Sequence, residues 1–241
     1  MPIFYQVFVI IFVTCIIQSI FGVGLLLFGT PLLLLVGLDF PRVLSILLPC
    51  SMMVSFLQVL KDKEEIDWTT IKKMLIFALP SIIITSLIVL SFKNSINMNL
   101  LIGLVLILIS FMSFFEINLF SYLKKIRMDF CYFIFLGIVH GASNLGGSLL
   151  SVYVKDTCQT RKKIRATIAI NYFLFAACQL AVLVLNQKFV AYEYDISNVC
   201  LVFLTTAIIG RILFTRINDF VYVKVFNAFI LIMGLTFIMK S

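Results

Sequence analysis

Phe21-Gly22-Val23-Gly24-Leu25-Leu26-Leu27-Phe28-Gly29-Thr30-Pro31 is an apolar stretch cut by three glycines and closed by a proline. About 120 residues later the chain reads Val139-His140-Gly141-Ala142-Ser143-Asn144-Leu145-Gly146-Gly147-Ser148. Both stretches lie in sequence apolar enough for a bilayer, where every freed backbone N–H and C=O must find a partner. Glycine clusters at that depth are tolerated where the backbone lines a cavity or packs against other protein. Two such breaks in corresponding positions of two halves point to a binding site in a membrane protein.

Composition agrees with the membrane reading. The chain is 62% hydrophobic and 12% charged, with a mean hydropathy of +1.15. A soluble domain carries about 25% charge. Here the charge sits in short loops between long apolar runs. Those runs span residues 3–20, 22–37, 43–60, 71–92, 98–120, 130–154, 164–185, 196–214 and 220–239. A crossing needs about 20 apolar residues, which the runs from Val43 onward supply, apart from the one cut by the second cluster. Both glycine-cut stretches read as helix–break–helix hairpins, the first with the longer leading piece.

Loop charge adds the architecture. Lys61, Lys63, Lys72 and Lys73 make one loop rich, and Lys93 stands alone in the next. Lys124, Lys125 and Arg127 precede the second cluster, and Lys155, Arg161, Lys162, Lys163 and Arg165 follow it. Two rich loops flanking one stretch share a membrane side if that stretch is a hairpin. A shift of about 119 residues lays Gly22 on Gly141 and gives corresponding loops opposite charge character. The expected fold is an all-α integral membrane protein of two inverted repeats, residues 1–120 and 121–241, forming one transmembrane domain. Each repeat is a glycine-broken hairpin plus three crossings, giving about eight membrane segments, or up to ten helices. Both termini fall outside.

The chemistry favours an anion. A helix starting in mid-membrane presents free N–H groups and the positive end of its dipole. Thr30 in the first copy, and Ser143, Asn144 and Ser148 in the second, add neutral donors. Glu116 is the sole carboxylate within the runs, whereas a cation carrier more often holds Asp or Glu at depth. The glycines also suit close helix packing. His140, the sole histidine, can hold a proton or an anion, or stay neutral between helices. Gln58, Asn171 and Gln179 read first as interhelical hydrogen-bonding residues. Arg42 and Arg211 read as interface anchors, and Lys155 to Arg165 as topology signals that meet anionic lipid.

The remaining features narrow the class. Cys15, Cys50, Cys131, Cys158, Cys178 and Cys200 have no Cys-x-x-Cys spacing and read as small hydrophobes. Neither a metal-ligand cluster nor a phosphate-binding Gly-x(4)-Gly-Lys-Ser/Thr motif is present, so no metal and no cofactor is expected. The net charge of +8 follows membrane side loop by loop, so nucleic acid is not expected as a partner. The first apolar run has no charged side chain ahead of it and reads as retained structure.

The pattern Gly-x-Gly-x(4)-Gly-x-Pro at Gly22, Gly24, Gly29 and Pro31, followed by Leu32-Leu33-Leu34, resembles the sulfite exporter TauE/SafE family. The mid-chain Gly141-x(4)-Gly146-Gly147 resembles that family's second motif. Leu25 and Leu26 stand where a further glycine is common, and the second copy lacks a match to Pro31. The resemblance implies a transporter of small sulfur-containing anions, such as sulfite or organosulfonates, in the cytoplasmic membrane. The expected ligand-adjacent residues are Gly22, Gly24, Gly29, Thr30, Pro31, His140, Gly141, Ser143, Asn144, Gly146, Gly147 and Ser148. The alternatives are a membrane-embedded enzyme using His140 with Ser143 or Ser148, and a non-transporting assembly subunit. A homo-oligomer stays open.

Overall fold

The computed structural model describes residues 3–92, 96–115, 117, 119–125, 128–190, 195–213 and 219–240, with backbone alone at 195–196, 209–213 and 219–227. Lys93, Glu116, Arg127, Glu193 and Arg216 lie outside the described residues, as does the Arg211 side chain. Every regular element among the described residues is helical. In chain order they are α1 (Ile3–Phe21), α2 (Leu25–Leu35), α3 (Phe40–Asp62), α4 (Trp68–Lys73), α5 (Leu79–Ser91), α6 (Met98–Phe114), α7 (Leu119–Lys125), α8 (Asp129–Ser143), α9 (Gly147–Thr157), α10 (Arg161–Leu185), α11 (Asp195–Leu213) and α12 (Asp219–Met239).

Local chemistry sets the helix starts. The Asp67 carboxylate accepts from the Thr70 N–H at 3.3 Å to open α4, and Asn97 accepts from Leu100 at 3.1 Å to open α6. Thr160 does the same for α10 through Lys163, at 3.2 Å. Each of these side chains satisfies an N–H that a helix start leaves without an intrahelical partner. A π-helical turn at Met74–Ala78 joins α4 to α5 into one span, Trp68–Ser91. Pro80 follows directly. Its missing N–H removes a bond that the regular ladder would need, and the widened turn takes up that defect.

Four helices among the described residues are long and apolar enough to cross a bilayer: Ile3–Phe21, Phe40–Glu65, Trp68–Ser91 and Arg161–Leu185. The run expected at 98–120 does not form one helix. α6 ends at Phe114, and α7 carries on from Leu119 as a separate piece.

The packing puts α3 against α10 and α6 against α12. α5 packs on α8 while α1 packs on α11, and α10 meets α5 while α3 meets α11. The long pair α3 and α10 carries the buried polar side chains Ser45, Ser51, Ser55, Gln58, Thr167, Asn171 and Gln179. Large apolar side chains such as Ile76, Ile84, Leu104, Phe111 and Phe114 are instead exposed on the outer helices. This arrangement suits an apolar surrounding solvent and an interior with polar work to do.

Candidate functional site: two helix breaks

The first break runs from Gly22 to Gly24, between α1 and α2. Gly22 adopts φ +79°, the left-handed region that glycine enters without steric cost, and its N–H donates to the Gln18 carbonyl at 2.8 Å. The second break is Asn144 to Gly146, between α8 and α9. Asn144 has φ +67°, and its N–H donates to the His140 carbonyl at 2.7 Å. Asn is among the few non-glycine residues that visit this region readily.

In local geometry Gly22 resembles Asn144, 122 residues on, rather than Gly141, and Gly24 and Gly146 each stand just before the second helix of their pair. Gly141 belongs to α8, where an added Cβ would lie 2.7 Å from the Ile82 carbonyl oxygen of α5. Its role is close helix packing. Gly29 and Pro31 likewise sit inside α2, with Gly29 against Leu47.

The same offset pairs Gln18 with His140. The Gln18 carbonyl also accepts from the Gln58 side-chain amide of α3 at 2.9 Å, and the His140 carbonyl from the Gln179 amide of α10 at 3.3 Å. A long-helix glutamine therefore ties down each break. Behind each amide stands a tight glycine. A Cβ on Gly24 would lie 2.7 Å from the Gln18 nitrogen, and one on Gly146 2.6 Å from the His140 Cβ. A Cβ on Gly147 would fall on the Tyr172 hydroxyl.

The second break meets α2 of the first half. The Asn144 side-chain amide donates to the Thr30 hydroxyl at 3.1 Å, joining the second break to α2, and α2 also touches α9. Ser143 Oγ donates to the Val139 carbonyl at 2.7 Å and Ser148 Oγ to the Leu145 carbonyl at 3.2 Å. Neither hydroxyl bonds the imidazole among the described residues.

The two halves differ in what fills the matched position. The Gln18 side chain accepts from the Leu25 N–H at 3.1 Å, capping α2, and donates toward Ser51 and Ser55 at 3.4 and 3.3 Å. The start of α2 is thus already partly satisfied from within the chain. His140 is fully buried, its ring 4.9 Å from that of Phe175, with Gln179 alongside. Neither ring nitrogen makes an ordinary-length hydrogen bond among the described residues. Asn144 Oδ1 and Gln179 Oε1 are buried in the same condition. Buried polar atoms left so cost about 1–3 kcal/mol each.

Sequence reasoning missed Gln18, since a lone glutamine in an apolar run carries no periodic signal. It also missed a buried ion pair between Asp62, at the end of α3, and Arg165 of α10. Both residues had been absorbed into charged loops.

Apolar exterior, spanning helices and paired interior breaks define a multi-pass integral membrane protein of the transporter class. The chain belongs to the sulfite exporter TauE/SafE family, whose model matches residues 7–237. No curated protein and no solved structure matches it.

Proposed function

We propose that the protein exports small sulfur oxyanions, sulfite or organosulfonates, across the cytoplasmic membrane by alternating access between two inverted repeats, residues 1–120 and 121–241. The observation that carries this reading is the contact of the second break with α2, the helix that follows the first break, through Asn144 and Thr30 inside a chain of this family. The helix pairings support two repeats, because exchanging halves sends α5–α8 to α11–α1 and α10–α5 to α3–α11. The matched Gln58 and Gln179 bonds support it further. Loop charge supports a cytoplasmic Lys61 and Arg165 end, and in this reading both termini lie outside and the chain has about eight membrane segments.

In this reading His140, Asn144 and the start of α9 meet the anion from the second repeat, and Thr30 with the start of α2 from the first. Ser143, Ser148, Gly146 and Gly147 shape the second half-site, and Gly22 and Gly24 the first. A voltage negative inside drives an anion outward by about 2.3 kcal/mol per charge per 100 mV, so export needs no further coupling. The test is flux of labelled sulfite, two-carbon sulfonates, sulfate and chloride through proteoliposomes, with and without imposed voltage. Saturable, voltage-responsive flux of a sulfur anion but not chloride is expected. Absence of all flux from folded protein overturns the proposal.

A further inference from the structure

A cavity of about 400 Å³ opens beside the first break, lined by Ser19, Leu57, Gln58, Lys61, Arg165 and Thr206, with Ala207 beside Thr206. That volume lies within the range of small-ligand sites. Ser19 and Gln58 belong both to this cavity and to the hydrogen bonds that tie down the end of α1. Lys61 is exposed at the rim, while Arg165 and its partner Asp62 are buried.

The charges here run against local rules. Asp62 ends α3, where the helix dipole disfavours an anion. Arg161, Lys162, Lys163 and Arg165 crowd the start of α10, where it disfavours cations. Membrane side accounts for the α10 cations, but neither rule accounts for a buried Asp62 at a helix end, and violations of this kind gather at functional sites. A buried guanidinium presents several donors in a planar fork suited to oxyanions. Asp62 occupies part of that fork.

We propose that this cavity is the cytoplasmic docking site for the transported oxyanion, held by Lys61 and Arg165, with Asp62 as a built-in carboxylate that competes with it for the guanidinium. The inference rests on the transporter reading and supplies its cytoplasmic-side substrate contacts. Thr206 brings a hydroxyl to the inner wall, while the Ser19 hydroxyl donates to the Cys15 carbonyl at 2.8 Å. Beyond them the path leads to the Gln18 end of α1 and the first break. Asp62 keeps the arginine compensated when the cavity is empty, and so weakens binding enough for the anion to leave.

The test compares half-saturating sulfite concentration for efflux from proteoliposomes, together with sulfite-dependent thermal stabilisation in detergent, for wild type, Lys61→Gln, Asp62→Asn and Lys162→Gln. Lys61→Gln is expected to raise the half-saturating concentration at least about fivefold, as loss of one nearby charge does. Asp62→Asn is expected to lower it and to enlarge the stabilisation by sulfite. Lys162→Gln, outside the cavity, leaves both unchanged. Equal shifts in Lys61→Gln and Lys162→Gln would reduce the effect to surface potential and overturn the site. Weaker sulfite binding in a folded Asp62→Asn protein also overturns it, because the carboxylate would then be mere scaffolding. Wild-type protein that neither carries nor binds sulfite refutes the transporter reading along with the site, whereas robust flux indifferent to Lys61 refutes the site alone.

Discussion

Gln18 and His140 hold the same place in two similar backbone turns, yet they end in opposite states. Both carbonyls take the N–H of a left-handed residue and the amide of a long-helix glutamine. At Gln18 the side chain is fully engaged, capping Leu25 and reaching Ser51 and Ser55. At His140 the ring lies buried against Phe175 with both nitrogens lacking an ordinary hydrogen bond among the described residues. The backbone therefore makes the break, and the side chain decides how far its hydrogen bonds are satisfied. At the first break Gln58 Oε1 alone of these groups lacks a partner among the described residues, whereas at the second both His140 nitrogens, Asn144 Oδ1 and Gln179 Oε1 do.

The largest effect expected from breaking this comparison is at the glycines it shares. Gly146→Leu drives a side chain into His140, and Gly22→Leu forces a left-handed backbone on a bulky residue. Each is expected to reduce flux to background while the protein still inserts, measured by transport beside membrane-fraction yield. Undiminished flux in both variants would remove the breaks from the mechanism.

Exchanging the matched residues sharpens the contrast. Gln18→His strands the Leu25 N–H and two serine contacts, and is expected to cost about 1–3 kcal/mol of stability. His140→Gln should leave stability equal or higher, because the amide can cap α9 as Gln18 caps α2, while flux falls at least about tenfold. Unfolding midpoints in detergent and flux assays read the two effects separately. Equal destabilisation in both would erase the proposed asymmetry.

Gly147→Ala places a methyl on the Tyr172 hydroxyl and is expected to cost about 1–3 kcal/mol by overpacking. Tyr172→Phe should recover most of that loss in the double variant, as contacting residues couple strongly. The smallest effect is expected from Gln179→Leu, at about 1 kcal/mol for one long hydrogen bond. Gln58→Leu should cost more, since that amide reaches both the Gln18 and Ser19 carbonyls.

Much of this architecture was legible because glycine and proline punctuate an apolar sequence strongly. The first break lies at the Gly22–Gly24 stretch of the motif, and the second within the predicted 141–147 window. A 119-residue shift lays Gly22 on Gly141, whereas the left-handed turn like that at Gly22 falls three residues later, at Asn144. A glycine-to-glycine match could not register an asparagine in left-handed backbone. Asp62 stayed hidden for a different reason. Its partner Arg165 lies 103 positions away, and a charged residue at the end of an apolar run looks the same whether it faces water or another helix.

The π-turn at Met74–Ala78 has a consequence for how this chain tolerates insertion and deletion. One surplus residue rotates everything before it by about 100° relative to everything after it. α5 presents its face to α8, where Gly137 abuts the Ser81 side chain. Meanwhile Lys73, on the far side of the turn, reaches Asp129 at the start of α8, at 3.3 Å. Removing a single residue there would leave the span long enough to cross the membrane but swing Lys73 away from Asp129. The turn thus acts as a phase setting between the two ends of one span, and a one-residue gap that other apolar segments would absorb would be felt here as a change of partner.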